Sequence, residues 1–281
     1  MEAPRRSGIL PLRPLTLGEL LDAAVALLRG HAALFIGAGA VLATLEQLAL
    51  YRPRSAAGLV APFYLPYWDR LGEYWLQLAA GLATEAIVIA LLGSLTAGAA
   101  VPALLGERVR ARDLVRGGRY GAVAIVALVA GVVVGVSALA GLLPWIFGYG
   151  LLGLAVPAIV VDRVGPGRAL LRSLVLSSRA LLRACWIRVV GYLGWLAIRL
   201  ALARGAVALL AVAIDLRPGL LATLVGMAVW IGVNAVAYPT LACLDAVLHL
   251  ETRMRTEGLD IALGRALQRG DPAAPALAVP R

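Results

Sequence analysis

Six stretches of this chain carry almost nothing but apolar residues, at roughly 32–51, 76–99, 120–142, 145–161, 187–213 and 219–241. Each is close to the length of about 20 residues that a helix needs to cross the hydrocarbon of a bilayer. Only 15% of the residues are charged, against about 25% in soluble domains, so the chain lacks the polar groups to cover a water-facing surface. The pattern predicts an all-α fold: a polytopic membrane bundle of six transmembrane helices. The fourth stretch is the shortest, and Pro144 with the aromatics Trp145, Phe147 and Tyr149 marks its start at a membrane interface.

Orientation follows from the arginines, which supply all 26 cationic side chains; the absence of lysine points to a GC-rich bacterial genome. They gather in alternate connections: Arg5, Arg6, Arg13 and Arg29 before the first span, and Arg108 to Arg119 between the second and third. Arg163 to Arg188 lie between the fourth and fifth, and Arg253 to Arg281 follow the sixth. The other side has only Arg52, Arg54, Arg70 and Arg217. Positive-inside bias then predicts a multi-pass protein of the bacterial plasma membrane with both termini cytoplasmic. A formal charge of +10 would suggest nucleic acid in a soluble protein. Arginines clustered beside apolar spans instead predict anionic lipid headgroups at the cytoplasmic face as partners, with protein partners in the membrane and no nucleic acid.

The bundle is expected over 16–266, between a flexible segment at 1–15 and a disordered tail at 267–281 that is rich in proline and alanine. Three similar strings each lead into an outward span: Leu27-Leu28-Arg29-Gly30, Leu114-Val115-Arg116-Gly117 and Leu181-Leu182-Arg183-Ala184. They read as three repeated units, at about 16–105, 106–161 and 163–250, each made of an in-plane helix, an outward helix and a returning helix. Thr16 and Glu19 form a capping box for the first in-plane helix, whose Leu17, Leu20, Leu21, Ala24, Leu27 and Leu28 share one face opposite Glu19, Asp22 and Arg29. In the third, Arg168, Arg172, Arg179 and Arg183 fall on one face opposite Leu170, Leu174 and Leu181, which predicts an interfacial basic stripe directed at headgroups or cytosol.

Ionisable groups inside a membrane cost several kcal/mol and are functional candidates by default. Glu46, Glu85, Arg199 and Arg204 qualify, with Asn234 as a polar companion. Glu85 and Arg199 fall near mid-depth, and compensating pairs among the four are expected, holding helices together or lining a path for a solute or headgroup.

No catalytic, cofactor-binding or metal site is expected. Cys185, Cys243, His31 and His249 are isolated in sequence, and neither histidine stands near a suitable carboxylate cluster. Gly148-Tyr149-Gly150-Leu151-Leu152-Gly153 satisfies a dinucleotide fingerprint but opens a membrane span, where small residues serve close helix packing; the Gly131 and Gly135 pair reads the same way. Gly135-Val136-Ser137-Ala138 resembles the serine motif of rhomboid-type proteases, yet about 30 Å of hydrocarbon separates Ser137 from His249.

Three segments resemble a family of bacterial membrane proteins, common in actinobacteria, named for the membrane domain of glycerophosphodiester phosphodiesterases. They are Arg13-Pro14-Leu15-Thr16-Leu17-Gly18-Glu19-Leu20-Leu21-Asp22-Ala23, the stretch from Pro157-Ala158 to Gly167-Arg168-Ala169-Leu170-Leu171-Arg172-Ser173, and Arg253-Met254-Arg255-Thr256-Glu257-Gly258-Leu259-Asp260-Ile261. The resemblance implies about six helices and no established activity. The phosphodiesterase chemistry itself belongs to a (β/α)₈ barrel of about 250 residues, for which the spans leave no room. The leading expectation is a non-enzymatic accessory or assembly factor of the cell envelope. The alternative is a transporter or lipid-handling protein that uses the buried Glu and Arg residues, and a membrane-embedded hydrolase comes third.

Overall fold

The computed structural model describes residues 13–59, 68–107, 109–213 and 219–269, together with Leu277. Ten helices and no strand occur among them: α1 Leu17–Gly30, α2 Ala32–Ala56, α3 Leu71–Leu104, α4 Ala111–Arg116, α5 Tyr120–Leu139, α6 Leu142–Leu152, α7 Ala155–Val160, α8 Pro166–Ala213, α9 Leu220–Glu257 and α10 Leu259–Arg269. Six helical spans are long and apolar enough to cross a membrane. The protein is therefore a multi-pass helical membrane protein. The order of short helix, spanning helix and returning helix recurs three times, in α1 to α3, α4 to α7 and α8 to α9. The helical domain extends three residues past the expected limit of 266, through α10. The rest of the tail expected to be disordered lies outside the described residues, except for Leu277, which is buried.

The sixth span is the axis of the bundle. Every residue from Ala237 to Met254 in α9 is buried, with α1, α2, α3 and α8 packed round it. The stretch from Ala237 to Leu244, apolar but for Tyr238 and Thr240, needs such enclosure, and the charged residues that follow are buried with partners on neighbouring elements. Pro239 cannot donate to Ala235, which leaves that carbonyl free. The α2 backbone closes on it at Gly39, where a Cβ would lie 2.7 Å from the Ala235 oxygen. Thr96 of α3 donates to the Ala242 carbonyl at 3.0 Å. Gly131 and Gly135 let α5 approach α3 at Ala83 and Ile87, as the small-residue pattern predicts.

The outer surface is what lipid requires. Val41, Leu45 and Leu48 form one exposed stripe on α2; Ile125, Leu128, Val132 and Val136 form another on α5. Patches of this extent belong in hydrocarbon, not water.

Two spans depart from regular helix. The fourth, expected to be continuous, breaks between α6 and α7 at Gly153 and Leu154. Broken backbone is tolerated at membrane depth only where side chains replace its missing partners, and α8 supplies them. Ser173 Oγ accepts from Leu154 N at 3.1 Å and donates to Leu151 O at 2.6 Å, and Arg188 donates to the Tyr149 carbonyl. Gly153 is required because a Cβ there would strike the Arg188 side chain. The fifth span and the basic helix before it form one element, α8, about 72 Å long at 1.5 Å per residue and too long for a single crossing. Leu181 and Leu182 take φ of 56° and 61° within it, a left-handed bend that separates the two functions.

Candidate functional site

At the end of the bundle where α2 finishes and α3 begins, the helices enclose a polar cavity of about 220 Å³. α8 packs on α9 and α6, and residues of α2, α3, α8 and α9 line the space. All five intramembrane residues singled out from the sequence, Glu46, Glu85, Arg199, Arg204 and Asn234, line it.

Glu85 and Arg199 form the expected pair. Arg199 Nη1 donates to Glu85 Oε1 at 2.8 Å and Nη2 to Oε2 at 3.1 Å, a two-pronged contact between α3 and α8. Tyr192 Oη also donates to Oε2, and Arg199 Nη1 reaches Asn234 Oδ1 at 3.3 Å. The guanidinium is wholly buried and lies 5.4 Å from the Tyr192 ring centre and 5.5 Å from that of Tyr238. Its charge is thus met by one carboxylate, one amide and two π-faces, the compensation that a buried ion requires.

Glu46 and Arg204 are a correction to the expected pairing. Glu46 is buried on α2 and accepts from Tyr238 Oη at 2.7 Å and Thr84 Oγ1 at 2.9 Å, all neutral partners. Arg204 is exposed at the cavity rim and makes no ion pair among the described residues. The two stand on different helices with the Glu85–Arg199 pair between them in the lining. Tyr238, Thr84 and Gln77 escaped the sequence reading because uncharged polar residues are common in spans. The i to i+4 spacing of Asn234 and Tyr238 is the one signal that marked a polar face there. Gln77 Oε1 is buried without a donor among the described residues.

The opposite end, which carries α1, holds a second set of charges. Asp162, in the turn between α7 and α8, is a hub: Arg253 Nη1 donates to it at 2.7 Å, His249 Nε2 lies 3.1 Å away, and Arg172 also pairs with it. Burial alone would raise the Asp162 carboxyl, but His249, Arg253 and Arg172 together hold it down at about 2. Glu257 joins Arg172 at 2.7 Å and Arg253 at 2.8 Å. Glu251 takes Arg183 at 2.8 Å and Arg255, and both arginines also donate to the Leu15 carbonyl, tying the start of the chain to α8 and α9. Farther in, Arg188 pairs with Asp245 at 2.7 Å and stacks 3.7 Å from the Tyr149 ring centre.

These contacts overturn two expectations. The basic stripe of α8 does not face outward as a unit: Arg172 and Arg183 turn inward to carboxylates carried by the α7–α8 turn and α9, and only Arg168 and Arg179 are exposed. The leucines are the outward side, with Leu171 and Leu174 exposed. His249 is not isolated from carboxylates but buried against Asp162. Periodicity grouped the four arginines and missed what Arg172 and Arg183 meet, because Glu257 and Glu251 are 85 and 68 residues away in sequence and only Asp162, 10 residues from Arg172, is near.

The arrangement at this end is a lattice of satisfied ion pairs. Among the described residues no group of three or more His, Cys, Asp or Glu side chains is placed to hold a metal. Ser137 donates to its own helix at Val134 O, 3.0 Å away, and its Oγ abuts Gly148. No family model, curated protein or solved structure matches the chain, so the resemblance to the phosphodiesterase membrane-domain family rests on its motifs alone.

Proposed function

We propose that this chain is a non-enzymatic, lipid- or solute-handling protein of a bacterial plasma membrane, which takes the polar part of its ligand into the cavity between α2, α3, α8 and α9. The observation that carries the reading is the cavity itself. A scaffold needs its buried charges neutralised in a dry core, as Asp245 and Arg188 are. Here Glu46 and Arg204 line an accessible space of about 220 Å³ without ion-pair partners among the described residues. Polar cavities in membrane bundles mark substrate and ion pathways. An accessory or assembly role was the leading expectation, and the cavity weighs against it. The resemblance to the phosphodiesterase membrane-domain family fits, since it implies membrane helices without an established activity.

Lipid extracted from the protein purified in mild detergent tests this. A defined amphiphile is expected in stoichiometric amount with the wild type, several-fold reduced in Arg204→Gln and retained in Val132→Ala, a change on the lipid-facing stripe. The same bulk lipid mixture in all three would return the protein to the scaffold reading.

Arginine asymmetry supports cytoplasmic termini, which puts the cavity in the outer half of the membrane and the exposed Arg168 and Arg179 near anionic headgroups of the inner leaflet. Ser55 and Arg112 are both exposed, and the native Cys185 and Cys243 are buried. With an impermeant thiol reagent, Ser55→Cys should label in intact cells and Arg112→Cys only after permeabilisation. The reverse pattern would invert the protein and move the cavity to the cytoplasmic leaflet.

A further inference from the structure

Glu46 and Arg204, two of the charged groups that line the cavity, make no ion pair among the described residues and have opposite sign. Glu46 is 5% exposed, on α2, and each of its carboxylate oxygens already accepts from one hydroxyl, which leaves lone pairs for a further donor. Arg54, two turns further along the same helix, donates to Gln47 at 3.3 Å. Gln77 Oε1, on α3, lines the same space and has no donor among the described residues. Glu46, two turns deeper along the bundle than Gln77, thus presents acceptors with room for a cation. Arg204, at the rim on α8, presents five N–H donors without an anion among the described residues. Glu85 is the internal contrast, since its carboxylate is already matched by Arg199 and leaves nothing for a ligand to neutralise.

Resting on the binding reading above, we propose that the ligand is a zwitterion, whose ammonium group enters first and bonds to Glu46 while its phosphate or carboxylate stays at the rim on Arg204. Each charge of such a ligand completes a site that the protein leaves incomplete. A buried carboxylate with neutral partners is costly unless a cation compensates it. An anionic ligand without an amine would satisfy Arg204 and leave Glu46 as it was. A bare cation would do the opposite. A primary ammonium has three N–H donors to offer the Glu46 carboxylate, whereas a quaternary ammonium has none. The chemistry is shared by an ethanolamine lipid headgroup and by a small free zwitterion such as phosphoethanolamine or an amino acid.

The test uses the full-length protein in nanodiscs of an inert neutral lipid, with binding of four probes measured: short-chain phosphatidylethanolamine, phosphatidylcholine, phosphatidylglycerol and soluble phosphoethanolamine. The wild type is expected to bind the ethanolamine lipid at least tenfold more tightly than the glycerol and choline lipids. Glu46→Gln should remove that preference while leaving the weaker phosphatidylglycerol binding unchanged. Arg204→Gln, an exposed change that spares the packing, should weaken the ethanolamine and glycerol lipids alike. Tight binding of soluble phosphoethanolamine identifies a free zwitterion as the ligand, and tight binding of the lipid alone identifies a headgroup; both support the proposal. Equal affinity for ethanolamine and glycerol lipids, an ethanolamine preference that survives Glu46→Gln, or binding that follows Na⁺ concentration and not the ammonium group overturns the zwitterion and leaves a ligand-binding cavity. Binding of none of the probes, with no amphiphile co-purifying, overturns the binding reading itself. Should Glu46→Gln fail to fold, the probe series on wild type and Arg204→Gln still decides between these outcomes.

Discussion

Glu85→Gln and Arg199→Gln are each expected to lower the stability of the detergent-solubilised protein severely, and the double mutant to recover much of the loss. Removing one member of a buried ion pair typically costs about 3–5 kcal/mol, because the survivor is left charged in a place that cannot solvate it. The geometry makes the two losses unequal. Arg199 is wholly buried, while the Glu85 side chain retains 18% exposure at the cavity. Glu85→Gln therefore strands the guanidinium with two neutral amides, the introduced one and that of Asn234, and two aromatic faces. It should be the worse of the two single changes. Arg199→Gln leaves a carboxylate that still accepts from Tyr192 and borders the cavity, where water can reach it. The measurement is a thermal or denaturant melt of the four proteins of the cycle. Coupling of at least about 1.5 kcal/mol between the two sites is expected, and purely additive losses would sink the claim that they stabilise each other. Removing Asn234 alone, which contributes one hydrogen bond at 3.3 Å, should cost about 1 kcal/mol.

That pair was legible in the sequence for a simple reason: a charge in a long apolar run is conspicuous, and the helix rise puts residues from opposite surfaces at a common depth. The six spans were legible on the same ground. Their limits were less so. The sixth was expected to end near 241 but runs on to Glu257, because hydropathy stops where charges begin while the helix does not. Beyond that point Asp245, Glu251 and Arg253 keep α9 buried by pairing with α8 and the α7–α8 turn rather than by being apolar. Arg188 and Asp245 were hidden for the same reason, since each sits just outside or at the margin of an apolar stretch, where charge is ordinary. The break in the fourth span had Gly153 and Pro157, which cannot donate to the Gly153 carbonyl, as local signs, while the Ser173 and Arg188 side chains that satisfy the opened backbone lie on α8. Glu46 shows the converse limit. Its rarity in a span was readable, but the uncharged Tyr238 and Thr84 that hold it were not.

At the other end of the bundle, Asp162→Asn is expected to destabilise the protein by about 3 kcal/mol, within the range for breaking a buried charged network. Its side chain is fully buried, neutralises Arg253 and Arg172 and lies 3.1 Å from His249 Nε2. Asparagine keeps the volume and an acceptor but removes the charge. The loss stays short of collapse because Arg172 and Arg253 retain Glu257, and Arg253 also donates to the Leu277 carbonyl at 2.9 Å. A pH series makes the test specific. The Asp162 carboxyl is held at about 2 in the folded protein against an ordinary value of 3.8, so it binds its proton less readily folded than unfolded. The stability it contributes is then complete above about pH 4 and disappears as the pH falls through about 2, an amount of about 2 kcal/mol. Melting temperatures followed from about pH 6 down to about pH 2 should therefore fall more steeply for the wild type than for Asp162→Asn, and the two curves should converge at the acid end. Curves that stay parallel throughout would show that Asp162 is not the group whose protonation loosens this end of the bundle.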